Sequence, residues 1–327
     1  MTMWLQRLAT GAVIVALFSL PSLVVSPYYM SIAVTAAAFC VLAVGLNLVY
    51  GYVGLLSLCQ VAFWGLGAYT TAILTTRLEI SIWLAVPAGG LVAVAASVLV
   101  GVAAFRVSRH SFAIASLIFA LLLQQLALDW TTLTRGAMGL PGLPAPELTL
   151  PMLGRVVFAS AHQFYYLILA WAVIVVFATR ALLKSRIGRA FVAIRENTAL
   201  AETHGMNVLR YKLMAFGFSA ATSGIAGGLF CLYLTIADPS IFDFYYTEAM
   251  VIMVIVGGAG SFWPVIVASV VFTAAPELLR MGEELRLILY GLLLIAAMLL
   301  MPEGFAGFIR KRRIKLLRQS LSARQER

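Results

Sequence analysis

The stretch KSRIGRAFVAIRENTALAETHGMNVLRYK, residues 184–212, decides the fold. It is a polar, basic island between two long apolar blocks. Across 180–212 it carries seven Lys or Arg, at 180, 184, 186, 189, 195, 210 and 212, against two acids, Glu196 and Glu202. Hydrocarbon offers such groups no partners, so the island must lie outside the bilayer. Its excess of cations predicts the cytoplasmic side. Within it Asn197 is suited to cap a short helix over 198–204, and Gly205 to stop it. Two turns of helix are marginal in water on their own. A short helix held out of the membrane on the cytoplasmic face is what a permease needs to dock on a soluble motor subunit.

Composition agrees. The chain has 327 residues, is 62% hydrophobic and 11% charged, with mean hydropathy +0.99. A soluble domain would carry about 25% charged residues. Apolar blocks recur along the whole length, so this is a polytopic membrane protein. The net charge of +10 does not indicate nucleic acid, because eight of the basic residues lie in 310–327 and seven in the island. These clusters lack interleaved aromatics. They fit positive-inside charge and attraction to anionic membrane lipid. Cys40, Cys59 and Cys231 fall far apart in apolar segments and form no CxxC pair, which predicts buried thiols rather than a disulfide or metal site. The N-terminus imitates a signal peptide, with Arg7 before an apolar run. It lacks a clear small-x-small site and is expected to be an uncleaved first span.

A crossing helix needs about 20 apolar residues. On that measure about ten spans are expected, over 8–25, 30–50, 56–76, 82–105, 111–129, 164–183, 211–236, 247–256, 264–279 and 287–301. The permease domain would then be 1–309, with a cytoplasmic coupling loop at 184–210 and a basic cytoplasmic tail at 310–327. Both termini come out cytoplasmic, and Arg106 and Arg109 fall on the same side as the island. The eighth span is too short for a full crossing and is expected to be a tilted or broken helix. No barrel-type alternation occurs, which excludes a transmembrane barrel.

Two apolar segments are interrupted by glycine, 45–67 and 257–264. Broken helices at membrane depth commonly mark a translocation pathway. In the first, Asn47, Ser57 and Gln60 are polar groups that need partners in lipid. In the second, Gly257 and Gly258 break the chain. These five are the candidate pathway residues. The alternative is that Asn47 and Gln60 only bond neighbouring helices. No catalytic motif, metal-ligand cluster or cofactor sequence is visible. Intramembrane carboxylates are nearly absent, with Glu277 at the edge of a span. A proton- or sodium-coupled carrier usually keeps an ionisable group near midplane. Its absence argues that energy arrives from another subunit rather than through a stand-alone secondary transporter.

Four stretches carry a family resemblance: GLNLVYGYVGLLSLCQVAFWGLGAYTTAIL from Gly45, TRGAMGLPGLP from Thr134, SRIGRAFVAIRENTALAETHGMNVLRYKLMAFGFSAATSGIAGGLF from Ser185, and VIVGGAGSFWPVI from Val254. In this order the sequence resembles the permease subunits of branched-chain amino acid ABC importers, of the LivM type. The resemblance implies an all-α importer-permease fold in a bacterial inner membrane. It also implies a second permease subunit, two cytoplasmic ATP-binding subunits and a periplasmic solute-binding protein. It places a coupling helix in the third stretch, so Arg195, Glu196, Ala199, Ala201, Glu202 and Gly205 become candidates for contact with the ATPase. The chain departs from the family at Leu55, Cys59 and Gln60, where a Gln, a Gly and a His are usual. It departs again at Trp263, where a Gly usually precedes the proline. These departures bear on the solute, since related permeases carry urea, short amides or other small acids. The expected mechanism is alternating access driven by separate ATPases, with no chemistry performed by this chain.

Overall fold

The computed structural model describes residues 26–150, 154–158 and 160–278, with isolated positions 18, 21, 285, 288, 291, 292, 295 and 307. Apart from those isolated positions, the expected first and tenth spans lie outside the described residues, as does the basic tail. The described residues are mostly helical. Long helices are α1 (Pro27–Leu46), α2 (Gln60–Arg77), α3 (Ile82–Ala104), α4 (Arg109–Asp129), α5 (Ala161–Lys184), α8 (Val208–Leu234), α9 (Phe244–Gly257) and α10 (Trp263–Leu278). The island supplies two more, α6 (Arg186–Glu196) and α7 (Thr198–Thr203).

Among the described residues six stretches are long and apolar enough to cross a membrane, including Pro27–Val53 and Pro239–Gly257. The count of ten is therefore not established. The expected eighth span needs correcting: a 3₁₀ turn at Pro239–Phe242 leads into α9, and together they reach 19 residues, enough for a crossing. The all-α expectation also misses four short strands. β1 (Leu140–Pro141) pairs antiparallel with β4 (Ile236–Ala237), and β2 (Glu147–Leu150) pairs with β3 (Gly154–Val157). All four lie at the bundle end opposite the island. There the Arg77 guanidinium donates to the Thr132 and Leu133 carbonyls at 2.6 and 2.8 Å and fastens the long loop.

Helices α1 and α8 run through the middle, 83% and 78% buried over their apolar windows, while α4 and α5 are only 22% and 28% buried. The uncovered flanks of α3 and α4 are apolar, with Leu91, Leu99, Ile114 and Leu122 exposed, as lipid-facing surfaces require. The tightest packing joins α2, α3 and α8 through small residues. A Cβ on Gly67 would strike the Gly224 backbone, and one on Gly227 would strike the Trp64 carbonyl. In lipid, close approach of backbones is a main source of helix association. Cys40, Cys59 and Cys231 are all free and buried.

The island breaks into separate helices because three residues offer side-chain caps. Ser185 Oγ accepts from the Ile187 and Gly188 amides, Asn197 Oδ1 from Leu200 N at 3.0 Å, and Asn207 Oδ1 from Arg210 N at 3.0 Å. Gly205 ends the α7 turn at φ 77°, a left-handed conformation that favours glycine. The six-residue α7 does not stand alone. Ala201 packs with Ile194 and Val208 in a small satellite core flanked by Met206 and Tyr211.

Candidate functional site

Both glycine-interrupted segments come to the island end of the bundle. After α1 the chain widens into a π-helical turn, Asn47–Val53, which stops at Gly54 in the left-handed region (φ 83°). Residues 54–59 are non-helical before α2 begins at Gln60, four residues later than the expected third span. On the other side α9 ends at Gly257, and a turn over 258–261 leads into α10. π-Helical turns are rare and concentrate at functional sites.

The two interruptions are bonded to each other. Asn47 Nδ2 donates to the Ser261 carbonyl at 2.9 Å, and the Gly260 amide donates to Asn47 Oδ1 at 2.9 Å. The backbones are pressed together, since a Cβ on Gly51 would strike both Asn47 Oδ1 and the Gly260 amide nitrogen. Arg195, from α6, enters this junction. Its Nη1 donates to the Gly51 carbonyl, and its guanidinium occupies the space a Cβ on Gly260 would need. The Arg195 carbonyl in turn accepts from Arg109 Nη2 at 2.9 Å, which ties in the start of α4. Ser116 of α4 adds a second tie, its Oγ accepting from Leu58 N at 2.9 Å.

The expected pathway residues thus separate. Asn47 and Gln60 are 2% and 1% exposed, and their polar atoms are occupied. Gln60 sits between α2 and α8, where Ser219 Oγ donates to Gln60 Oε1 at 3.0 Å and Gln60 Nε2 donates to Ser223 Oγ. Ser57 is buried with its Oγ 3.3 Å from Cys59 Sγ. Gly257 packs on Val265 of α10, and Gly258 opens the turn. Asn47, Gly257 and Gly258 meet at one junction, whereas Gln60 belongs to a separate α2–α8 contact. For Asn47 and Gln60 this geometry is that of helix bonding. Among the described residues three other hydroxyls, Tyr69 Oη on α2, Thr179 Oγ1 on α5 and Thr247 Oγ1 on α9, are buried without a hydrogen-bond partner. Sequence pattern alone gave no sign of them.

The candidate coupling residues separate as well. Glu196, Ala199, Glu202 and Gly205 are exposed, Ala201 is buried in the satellite core, and Arg195 turns inward. The reading of Ala201 as a small residue open to a partner therefore does not match its position. Its place on the surface of α7 is taken by Leu200, 55% exposed, which sequence reasoning passed over. The Asn197 cap fixes the phase of α7 and could have revealed this. Trp263, one of the departures from the family, faces outward with the Arg180 guanidinium 5.0 Å above its ring.

The model of a family described as the permease component of the branched-chain amino acid transport system matches residues 28–298. The high-affinity branched-chain amino acid transport system permease protein LivM of Salmonella typhimurium is 31% identical over 323 residues, covering 93% of this chain and 76% of that one. LivM of Escherichia coli shows the same identity and coverage. The corresponding permease protein LivH of Salmonella typhimurium is 25% identical over 291 residues, 83% of this chain and 92% of its own. No solved structure matches. A bundle of apolar helices with two interruptions tied together, matched along most of its length by transport permeases, belongs to the branched-chain amino acid transport system permease family and is a multi-pass membrane permease, not an enzyme.

Proposed function

We propose that this chain is one of two permease subunits of an ABC importer for branched-chain amino acids in a bacterial inner membrane. Both termini and the island face the cytoplasm. A periplasmic binding protein delivers the solute to the opposite end, and two ATP-binding subunits engage the island. Transport proceeds by alternating access.

One observation carries this reading. The exposed helix α7 shares a satellite core with α6, and α6 sends Arg195 into the junction of the two interrupted helices. A force applied at Leu200 or Glu202 therefore has a short covalent and packed path to the glycine turns. An exposed leucine on a helix too short to be stable alone fits a surface that a partner covers. The likeness to LivM and LivH supports both the solute class and a second permease. The solute route itself is better served by Tyr69, Thr179 or Thr247 than by Gln60, because their hydroxyls are buried with no internal bond to give up. Co-expression with the two ATP-binding subunits and the second permease tests the assembly. The purified complex in proteoliposomes should take up labelled leucine only with ATP and binding protein. Uptake by this chain alone would instead support a secondary transporter.

A further inference from the structure

We infer that Arg195 is a positioning residue for transport, which carries movement of the island to both interrupted helices by holding the Gly51 carbonyl. The inference rests on the transport reading above. Arg195 differs from its neighbours on α6: Arg189, Val192 and Glu196 are exposed, while its own side chain turns into the bundle. That one side chain touches three pieces of the junction. Its guanidinium donates to the last turns of the π-helical segment at Gly51. Its Cγ lies where a Cβ on Gly54, the residue ending that segment, would meet it at 3.0 Å. Its Nη1 fills the space beside Gly260. Its main chain is held by Arg109 from α4. Two helix breaks thus share one cation, and the first turn of a third helix holds the same residue by its carbonyl.

The chemistry suits a tie that must move. The partner at Gly51 is a neutral backbone carbonyl at the end of a helical segment, where the backbone dipole leaves partial negative charge. A bond from a charged donor to such an oxygen is stronger than one between neutral groups. Releasing it leaves no uncompensated buried anion, as breaking a buried ion pair would. The guanidinium also presents five donors in a fixed fork, so it can pass from one carbonyl to another as the turns shift.

The test uses the full complex in proteoliposomes with leucine-loaded binding protein. Leucine moved per ATP hydrolysed is measured on assembled complex for wild type, Arg195→Met, Arg195→Lys and Arg106→Met. Arg195→Met should lower that ratio at least about tenfold, the effect of losing one hydrogen bond from a charged donor. Arg195→Lys, which keeps a single donor, should recover part of it. Arg106→Met, which removes an equal charge from an exposed position outside the island, should match wild type. A wild-type ratio in Arg195→Met overturns the inference. So does a loss of uptake that only mirrors loss of assembled complex. Absence of leucine-stimulated hydrolysis in the wild-type complex contradicts the transport reading itself, and the inference with it.

Discussion

Asn47 and Ser261, 214 residues apart, are joined by a 2.9 Å bond from the Asn47 carboxamide to the Ser261 carbonyl. The same carboxamide accepts from the amide of Gly260. One side chain thereby satisfies two backbone groups that the helix breaks set free. Asn47→Leu removes both bonds and leaves a half-buried donor and acceptor unpaired, at up to about 1–3 kcal/mol each. Thermal unfolding in detergent should show a clear loss of stability, larger than for Asn47→Gln.

Gln60 is predicted to act as a bond between helices. Gln60→Leu strands the Ser219 and Ser223 hydroxyls, so folded complex should fall. Uptake per folded complex should remain near wild type. A normal yield with impaired uptake would return Gln60 to the solute route.

Tyr69 is predicted to show the opposite pattern. Its unbonded hydroxyl is a cost of about 1–3 kcal/mol to the fold, so Tyr69→Phe should leave the protein at least as stable as wild type. If the hydroxyl meets the solute, leucine uptake should still fall. Unfolding midpoint and transport rate, measured on one preparation, separate the two effects.

Gly205 has open space around the position of a Cβ, so a larger residue meets no clash there. The cost of substitution comes from its φ of 77° alone. A non-glycine residue in this conformation costs about 1–2 kcal/mol, least for Asn and most for a branched residue. Gly205→Val should therefore insert and fold but uncouple, with leucine-stimulated ATP hydrolysis and uptake falling together. Gly205→Asn should retain most of both.

Much of this architecture was legible in the sequence, and the reasons differ by element. The long helices follow from runs of apolar residues that only a helix can satisfy in lipid. The caps at Asn197 and the stop at Gly205 are local chemistry and appear where the residue types place them. The pairing of the interrupted segments was not legible, because it depends on residues more than 200 positions apart. Nothing in the local pattern distinguishes an Asn that bonds a distant turn from one that faces a solute. The inward turn of Arg195 was hidden for the same reason: in a basic island every arginine reads as surface charge. Strands β1 and β4 are two residues each, too short for any alternation to register.

Docking of a motor subunit on the island can be read by site-specific crosslinking in membranes containing the whole complex. Cysteines would be placed singly at Leu200 and Glu202 on the exposed face of α7, with Ala201→Cys as the buried comparison. Efficient crosslinks to the ATP-binding subunit are expected from Leu200 and Glu202, and little from Ala201. Leucine uptake with no crosslink from any position over 196–205 would contradict it.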